Sequence, residues 1–383
     1  MSFRYIKVKT KGQIEGEKLL VPKLRFKEFN NEYKKYKIGD TLKVKSGKDQ
    51  KLIECINGKY PILGTGGQIG TTNNFLYDKP SVLIGRKGTI NKPQYMTTPF
   101  WTVDTLFYTD IKEGFNTKYI FYAFQNINWK KYDESTGVPS LSCKTIEEIL
   151  YYIPNKDEQD KISTFITLLD KKIELQQRKI EALKIYKKGL IQKYFESKNG
   201  EKIKISEILE EVINKTTENN QYEVISSTKD GLFLQSEYFS RSIASDNNIG
   251  YKILKKNQIV LSPQNLWMGN INYNNQYEIG MVSPSYKIFN INKKFDKDYI
   301  SNLLKTNKAI YYYTINSEQG ASIVRRNLNM ESFYEINFVI PDIAEQNKKG
   351  KIINEIAQKI EKEEKKYQKL DKLKKGLLQK MFI

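Results

Sequence analysis

Histidine is absent from all 383 residues. That removes the commonest general base and the commonest metal ligand together. Cysteine is scarce, with only Cys55 and Cys143 and no CxxC spacing. Two isolated cysteines exclude a disulfide framework or a zinc ribbon, fit a reducing cytosol, and read as small core hydrophobes. No run of about 18 apolar residues occurs and the N-terminus lacks an apolar h-region, so neither a membrane span nor secretion is expected. Catalytic signatures are missing as well. The glycines of Gly64-Thr65-Gly66-Gly67-Gln68-Ile69-Gly70 do not match GxGxxG, and there is no GxxxxGKS or GxxxxGKT phosphate loop. No Asn-Pro-Pro-aromatic tetrapeptide of an amino-methyltransferase occurs, and Pro341-Asp342 is not followed by the ExK of a PD-(D/E)xK nuclease. The chain reads as a binder, with no catalytic residue and no metal site of its own.

What is present is positive charge. A formal net charge of +20 points to a polyanionic partner, nucleic acid first and an acidic membrane surface second. A Lys-rich solvated surface is the bland alternative.

The chain also contains one segment twice. Ile153-Pro154 followed by Glu158-Gln159 opens a helical pattern that closes at Lys187-Lys188-Gly189-Leu190-Ile191-Gln192-Lys193-Tyr194-Phe195. Ile340-Pro341 followed by Glu345-Gln346 opens another, closing at Lys374-Lys375-Gly376-Leu377-Leu378-Gln379-Lys380-Met381-Phe382. The offset is 187 at both ends (340 − 153 and 382 − 195), so the register never slips. Two half-molecules are fused in one chain, and such two-fold pseudosymmetry suits duplex DNA.

The first helix carries seams at Ile162, Leu169, Gln176, Leu183 and Leu190 and at Ile166, Ile173, Ile180, Lys187 and Tyr194. The second carries Ile356, Leu370 and Leu377 and Ile353, Ile360, Tyr367 and Met381. Seven-residue recurrence of this kind is a coiled-coil face, and Ile153-Pro154 supplies the break before it. The polar seam positions also coincide, Lys187 with Lys374 and Gln176 with Glu363, which two unrelated amphipathic helices would not share. Polar residues at single seam positions fix register and orientation, and in an antiparallel pair these lie symmetrically about the pseudo-dyad.

Ahead of each helix lies a strand-rich stretch broken by Gly, Pro and Asn. Strands are expected at Pro80–Gly85 and Phe100–Tyr108, a short helix at Tyr119–Lys131, and Val282–Phe289 as the counterpart of the Trp101–Tyr108 strand. Gly320-Ala321-Ser322-Ile323 echoes Gly137-Val138-Pro139-Ser140-Leu141. The fold class is α+β: two strand-rich domains joined by two long antiparallel coiled-coil helices in a pseudo-two-fold, cyclic repeat. The expected domains are 1–155 (leader and first recognition domain), 156–198 (central spacer helix), 199–341 (second recognition domain) and 342–383 (C-terminal spacer helix). Residues 1–20 read as a poorly ordered leader. Because the repeat is cyclic, the termini should lie close together, with Leu24-Arg25-Phe26 continuing the end of the second helix.

This order resembles the specificity subunit of type I restriction-modification systems. So do Pro22-Lys23-Leu24-Arg25-Phe26, Ile84-Gly85-Arg86-Lys87-Gly88, and the Ile-Pro…Glu-Gln helices ending in Lys-Lys-Gly-Leu. The resemblance covers nearly the whole chain, and the duplicated helix is its specific part. It implies that each globular domain reads one half of a split, asymmetric sequence in double-stranded DNA. It implies that the paired helices hold the domains apart and dock two methyltransferase subunits, which methylate adenine N6. Two ATP-driven restriction subunits would add cleavage. The chain itself would hold no cofactor, with S-adenosylmethionine, ATP and Mg on the partner subunits. The implied location is the cytoplasm of a prokaryote, at the nucleoid when bound. A helix of about 35 residues runs on the order of 50 Å, enough to serve half-sites about one DNA turn apart. An orphan subunit serving methylation only, or another basic coiled-coil DNA-binding scaffold, remains the alternative.

Base reading needs donors and acceptors on loops, with Arg or Lys favouring guanine and Asn or Gln favouring adenine. The first domain offers Thr65, Gln68, Asn73, Arg86 and Lys87 on and near its Gly-rich turns; Gly85–Gly88 reads equally as a solvated hairpin turn. In the second domain the stretch after Val260-Leu261-Ser262-Pro263 takes that place, with Gln264, Asn265, Trp267 and Asn270. Arg325 and Arg326 form a further cluster with Gln319 and Asn327, suited to phosphate, which positions without specifying. The aromatics at Phe121, Tyr122, Phe124 and Tyr311–Tyr313 fall in expected helices and are assigned to the core rather than to base stacking.

Overall fold

The computed structural model describes residues 2–6, 21–196, 199–238, 247–319 and 326–383. It divides into two units, one of residues 1–177 with 365–383, the other of residues 178–364. The cuts fall after Gln177 and Glu364, again 187 residues apart (364 − 177).

Unit 1 opens with the antiparallel pair β1 (Phe3–Tyr5) and β2 (Leu24–Phe26). β3 (Lys34–Lys37) passes through a single turn, α1 (Ile38–Thr41), into β4 (Leu42–Lys45). Then come β5 (Tyr60–Gly64), β6 (Gly67–Thr72), β7 (Ser81–Gly85), β8 (Gln94–Met96), β9 (Trp101–Thr102) and β10 (Leu106–Ile111). α2 (Thr117–Phe124), α3 (Cys143–Glu148) and β11 (Leu150–Ile153) lead to the long helix α4 (Lys156–Phe195). The main sheet is ordered β4-β10-β7-β8, with β6-β5-β9 beside it and β11 paired with β3.

Unit 2 runs through β12 (Glu201–Lys204), α5 (Ile205–Ile208), β13 (Leu209–Val212), β14 (Ile225–Thr228), β15 (Gly231–Leu234) and α6 (Gln235–Tyr238). β16 (Lys252–Lys255), β17 (Gln258–Leu261), β18 (Ile271–Tyr273), β19 (Ile279–Val282) and β20 (Lys287–Ile291) follow. α7 (Lys297–Leu303), α8 (Asn307–Ile315), β21 (Ser317–Gln319), β22 (Arg326–Leu328), α9 (Met330–Tyr334) and β23 (Asn337–Ile340) lead to α10 (Ile343–Met381). Its main sheet is ordered β13-β20-β17-β18, the same topology as in unit 1.

The copies agree in register as well as order. Leu150 stands opposite Lys37 in the first, and Asn337, 187 residues on, stands opposite Lys204 in the second. Lys37 and Lys204 each begin a single helical turn whose third residue, Asp40 or Glu207, accepts back from the cap N–H. This closure satisfies a donor that the short turn would leave free.

The duplicated motif explains itself in these joints. Gln159 accepts from the Asn116 N–H at 2.9 Å and donates to the Pro154 carbonyl at 3.0 Å. Gln346 does the same with Asp296 and Pro341, at 3.0 and 2.8 Å. Each glutamine therefore ties the start of a long helix to the N-cap of the domain helix, α2 or α7. At the other end of each long helix a phenylalanine packs on a buried tyrosine of that same domain helix. Phe382 lies 5.2 Å from Tyr119, and Phe195 lies 4.8 Å from Tyr299. Each unit thus receives one helix end and sends out the other, which is the cyclic arrangement. Within unit 2, Lys179 pairs with Glu363 and Lys349 sits over the Tyr194 ring, so α4 and α10 run antiparallel.

Three local expectations are corrected. Phe3–Tyr5 is not part of an unordered leader: it pairs with β2, and Phe3 stacks on Phe26 at 4.6 Å. The nearby Tyr5 ring lies under Lys380, which brings the two ends of the chain together. Phe100–Tyr108 is not one strand. Trp101–Thr102 pairs with β5, Val103 then bonds Leu63, and from Leu106 the chain joins β4 and β7 in the other sheet. The Tyr119–Lys131 helix ends at Phe124, where the Trp129 indole N–H takes the Phe124 carbonyl and a 3-10 turn (Trp129–Tyr132) follows. The Gly320–Ile323 echo lies outside the described residues.

Candidate nucleic-acid interface

β7 is buried along its whole length and delivers the chain to the turn at Gly85. A Cβ at Gly85 would stand 2.3 Å from the Thr89 carbonyl oxygen, so close packing within the turn requires glycine there. The turn is pinned from both sides. The Arg86 N–H donates to Thr105 O and the Arg86 carbonyl accepts from Leu141, while the Gly88 N–H reaches Pro139 O. Gly88 has a φ of 82°, in the left-handed region. The backbone is fixed while the side chains face out: Lys87 is exposed, and Arg86 is half-buried with one bond, from Nη1 to Asp104 O at 3.3 Å.

The β5–β6 hairpin turns on Thr65 and Gly66, and Gln94 Nε2 holds its Gly64 and Thr65 carbonyls at 2.9 and 3.3 Å. Gln94 pairs with Leu83, three residues before Arg86. The hairpin turn that carries Thr65 is therefore tied through Gln94 to β7, the strand that leads to Arg86 and Lys87, and Gln68 beside that turn is exposed. Asn73 does not join them. It lies beyond the far end of β6, accepting from the Lys59 N–H.

In unit 2 the turn between β17 and β18 takes the equivalent place. Gln264 is exposed, and its carbonyl is held by the Arg326 N–H at 3.2 Å. Asn265 begins a 3-10 turn, Leu266–Met268, that buries Leu266 beneath it. Trp267 is half-buried, and its indole N–H is enclosed without a partner among the described residues, a donor state that costs about 1–3 kcal/mol. Asn270 turns inward, accepting from Ser227 Oγ at 2.7 Å and donating to Ser227 O at 2.9 Å. Arg326 also serves the fold. Nε donates to Ser317 Oγ, and Nη2 to Ser317 O and Thr314 O, which closes the β21–β22 hairpin onto α8. Both were expected at DNA; internal acceptors already take the Asn270 amide and the Nε and Nη2 of Arg326. Arg325 lies outside the described residues.

On the long helices, Ile162, Ile166, Leu169, Ile180, Ile353, Ile360 and Leu377 are buried, and Ile173, Leu183, Leu190, Ile356 and Leu370 partly so. The polar seam residues part company. Lys374 pairs with Asp170 at 2.7 Å, Glu363 pairs with Lys179, and burial holds Lys187 below the usual ammonium range. The aromatics Tyr122, Phe124 and Tyr313 are core residues, whereas Tyr311 is largely exposed. Sequence reasoning missed Gln94, Asn272 and Lys305. Nothing local marks them, because their roles come from strands and turns distant along the chain.

Residues 30–185 match the type I restriction modification DNA specificity domain. Among solved structures, the S subunit of a type I restriction-modification system from M. genitalium superposes with a TM-score of 0.65 at 17% identity, covering 95% of this chain and 99% of that one. A chain from a structure concerned with complex assembly and conformational transition of the type I restriction-modification system gives a TM-score of 0.52 at 8% identity, over 91% and 97%. No protein of curated function matches in sequence. No helix among the described residues is long and apolar enough to cross a membrane. Residues 30–185 are thus similar to the type I restriction modification DNA specificity domain, and the chain as a whole has the fold seen in type I S subunits.

Proposed function

We propose that this chain is the DNA-sequence specificity subunit of a type I restriction-modification complex, reading a bipartite asymmetric target with one half per unit. One observation carries the reading. The two units share sheet order and register, yet the turn after the second central strand presents Arg86 and Lys87 in one and Gln264 and Asn265 in the other. One scaffold with two different polar sets is what a split target with unlike halves calls for, since Arg and Lys favour guanine and Gln and Asn favour adenine. The net charge of +20 supplies the sequence-independent attraction to phosphate.

In this reading the chain catalyses nothing. It docks two adenine-N6 methyltransferase subunits and, where the system retains them, two restriction subunits. S-adenosylmethionine, ATP and Mg belong to those partners. Single-molecule sequencing of N6-methyladenine in the host, with and without this chain, tests it. Loss of one split motif is expected; an unchanged methylome together with no methyltransferase on copurification would overturn it.

A further inference from the structure

Unit 2 contains a cavity of about 730 Å³ walled by Lys184, Lys187 and Lys188 of α4, Lys305 and Lys308 at the α7–α8 junction, and Ala357 of α10. Two carboxylates also line it, Glu196 and Glu364, and Glu364 is already paired with Lys184 at 2.6 Å. We propose that this cavity takes a phosphate of the DNA backbone and so sets the position of the duplex against the reading turn 264–270. The proposal rests on the DNA-specificity reading and adds to it a particular backbone contact.

The repeat itself supplies the first argument. In unit 1 the seam lysine Lys374 is answered by Asp170. Its counterpart in unit 2 is Lys187, and the counterpart of Asp170 (170 + 187) is Ala357. The second copy has kept the cation and has a methyl group where the anion stands in the first. Among the described residues Lys187 has no ion-pair partner, although Ile191, Phe195 and Ile360 also line its cavity. A desolvated ammonium without a counter-charge is costly. An anion from outside the chain would offset that cost.

The second argument is where the cavity sits. Lys305 Nζ donates to Asn272 Oδ1 at 2.7 Å, and Asn272 lies in β18, directly after the reading turn. Gly269, in the turn itself, packs so closely on α8 that a Cβ there would stand 3.2 Å from Ile310 Cδ1. The lysine wall and the reading turn are therefore parts of one packed body, so a phosphate seated in the cavity would fix the turn relative to the bases. This continuity favours DNA over an acidic segment of a partner protein. Burial lowers both Lys187 and Lys305; for Lys305 the nearby Asp230 carboxylate opposes this and Lys187 adds to it, and a bound anion would oppose the lowering of both.

The test uses the complex with its methyltransferase and two duplexes, one with the methylated motif and one without, titrated across a range of salt. Ala357→Asp copies the carboxylate of unit 1, Lys187→Met removes the charge, and Lys187→Arg keeps it. Ala357→Asp and Lys187→Met should each weaken both duplexes by the same factor, roughly tenfold, and make the log–log salt slope shallower by about one. Lys187→Arg should match the parent, and unchanged thermal melting separates a lost contact from a lost fold. Unaltered slopes in both Ala357→Asp and Lys187→Met would overturn the proposal. So would normal DNA binding with loss of the methyltransferase, which would make the cavity a protein dock. A parent complex that binds neither duplex would instead overturn the specificity reading itself.

Discussion

The two units are copies whose joints are alike and whose charges are not. Both fasten the incoming helix by a phenylalanine on a buried tyrosine and the outgoing helix by a glutamine on an N-cap. The glutamate before that glutamine behaves differently. Glu158 is fully buried in a two-bond pair with Arg25 at 2.6 and 2.7 Å, next to Tyr33. Glu345 is 42% exposed and, among the described residues, pairs only with Lys349, one turn along its own helix. Joint geometry is shared because both copies must close the same cycle. Charge placement is not tied to that closure, so Glu158 is buried in an ion pair in one copy while its counterpart Glu345 stands partly exposed in the other.

That contrast can be broken at the joints first. Phe195→Ala and Phe382→Ala should each cost about 3–5 kcal/mol, the usual loss for a buried ring. Thermal melts of the two variants should fall by similar amounts; a drop in one alone would mean that the joints are not equivalent. Next is the glutamate pair. Glu158→Ala strands a buried guanidinium and should cost about 3–5 kcal/mol, whereas Glu345→Ala should cost no more than about 1 kcal/mol. Equal losses in chemical denaturation would erase the asymmetry.

The smallest effect concerns α7, whose Asp298 occupies the place of Lys118 in α2. Burial, and then the nearby Asp296, raise the Asp298 carboxyl above its usual range. A raised folded value means that ionisation costs stability, a cost absent below the unfolded value and developing as pH rises through the folded one. Asp298→Asn should therefore raise the melting temperature at pH 7 and leave it unchanged near pH 3. A gain of the same size at both pH values would remove the electrostatic explanation.

The duplication, the bounds of both long helices and their seams were legible in the sequence, because a helix writes its partner face into local spacing. The central strand at Ser81–Gly85 was legible as a short apolar run. The break at Val103 was not, since the chain leaves one sheet there for another and both pieces are apolar. Among the candidate contacts, Asn270 and Arg326 have the right chemistry for DNA, but a sequence cannot show that Ser227, Ser317 and Thr314 claim their donors first.

Periodicity and repetition, which are local and need no partner strand, were enough to mark two halves and two long helices, and composition alone gave the lack of histidine and the net charge of +20. Which lysine is answered by a carboxylate and which polar side chain is left facing outward depended on residues brought together from far along the chain. Lys374 finds Asp170, whereas Lys187 shares its cavity wall with Ala357, and only the packed structure distinguishes two positions that the repeat makes equivalent.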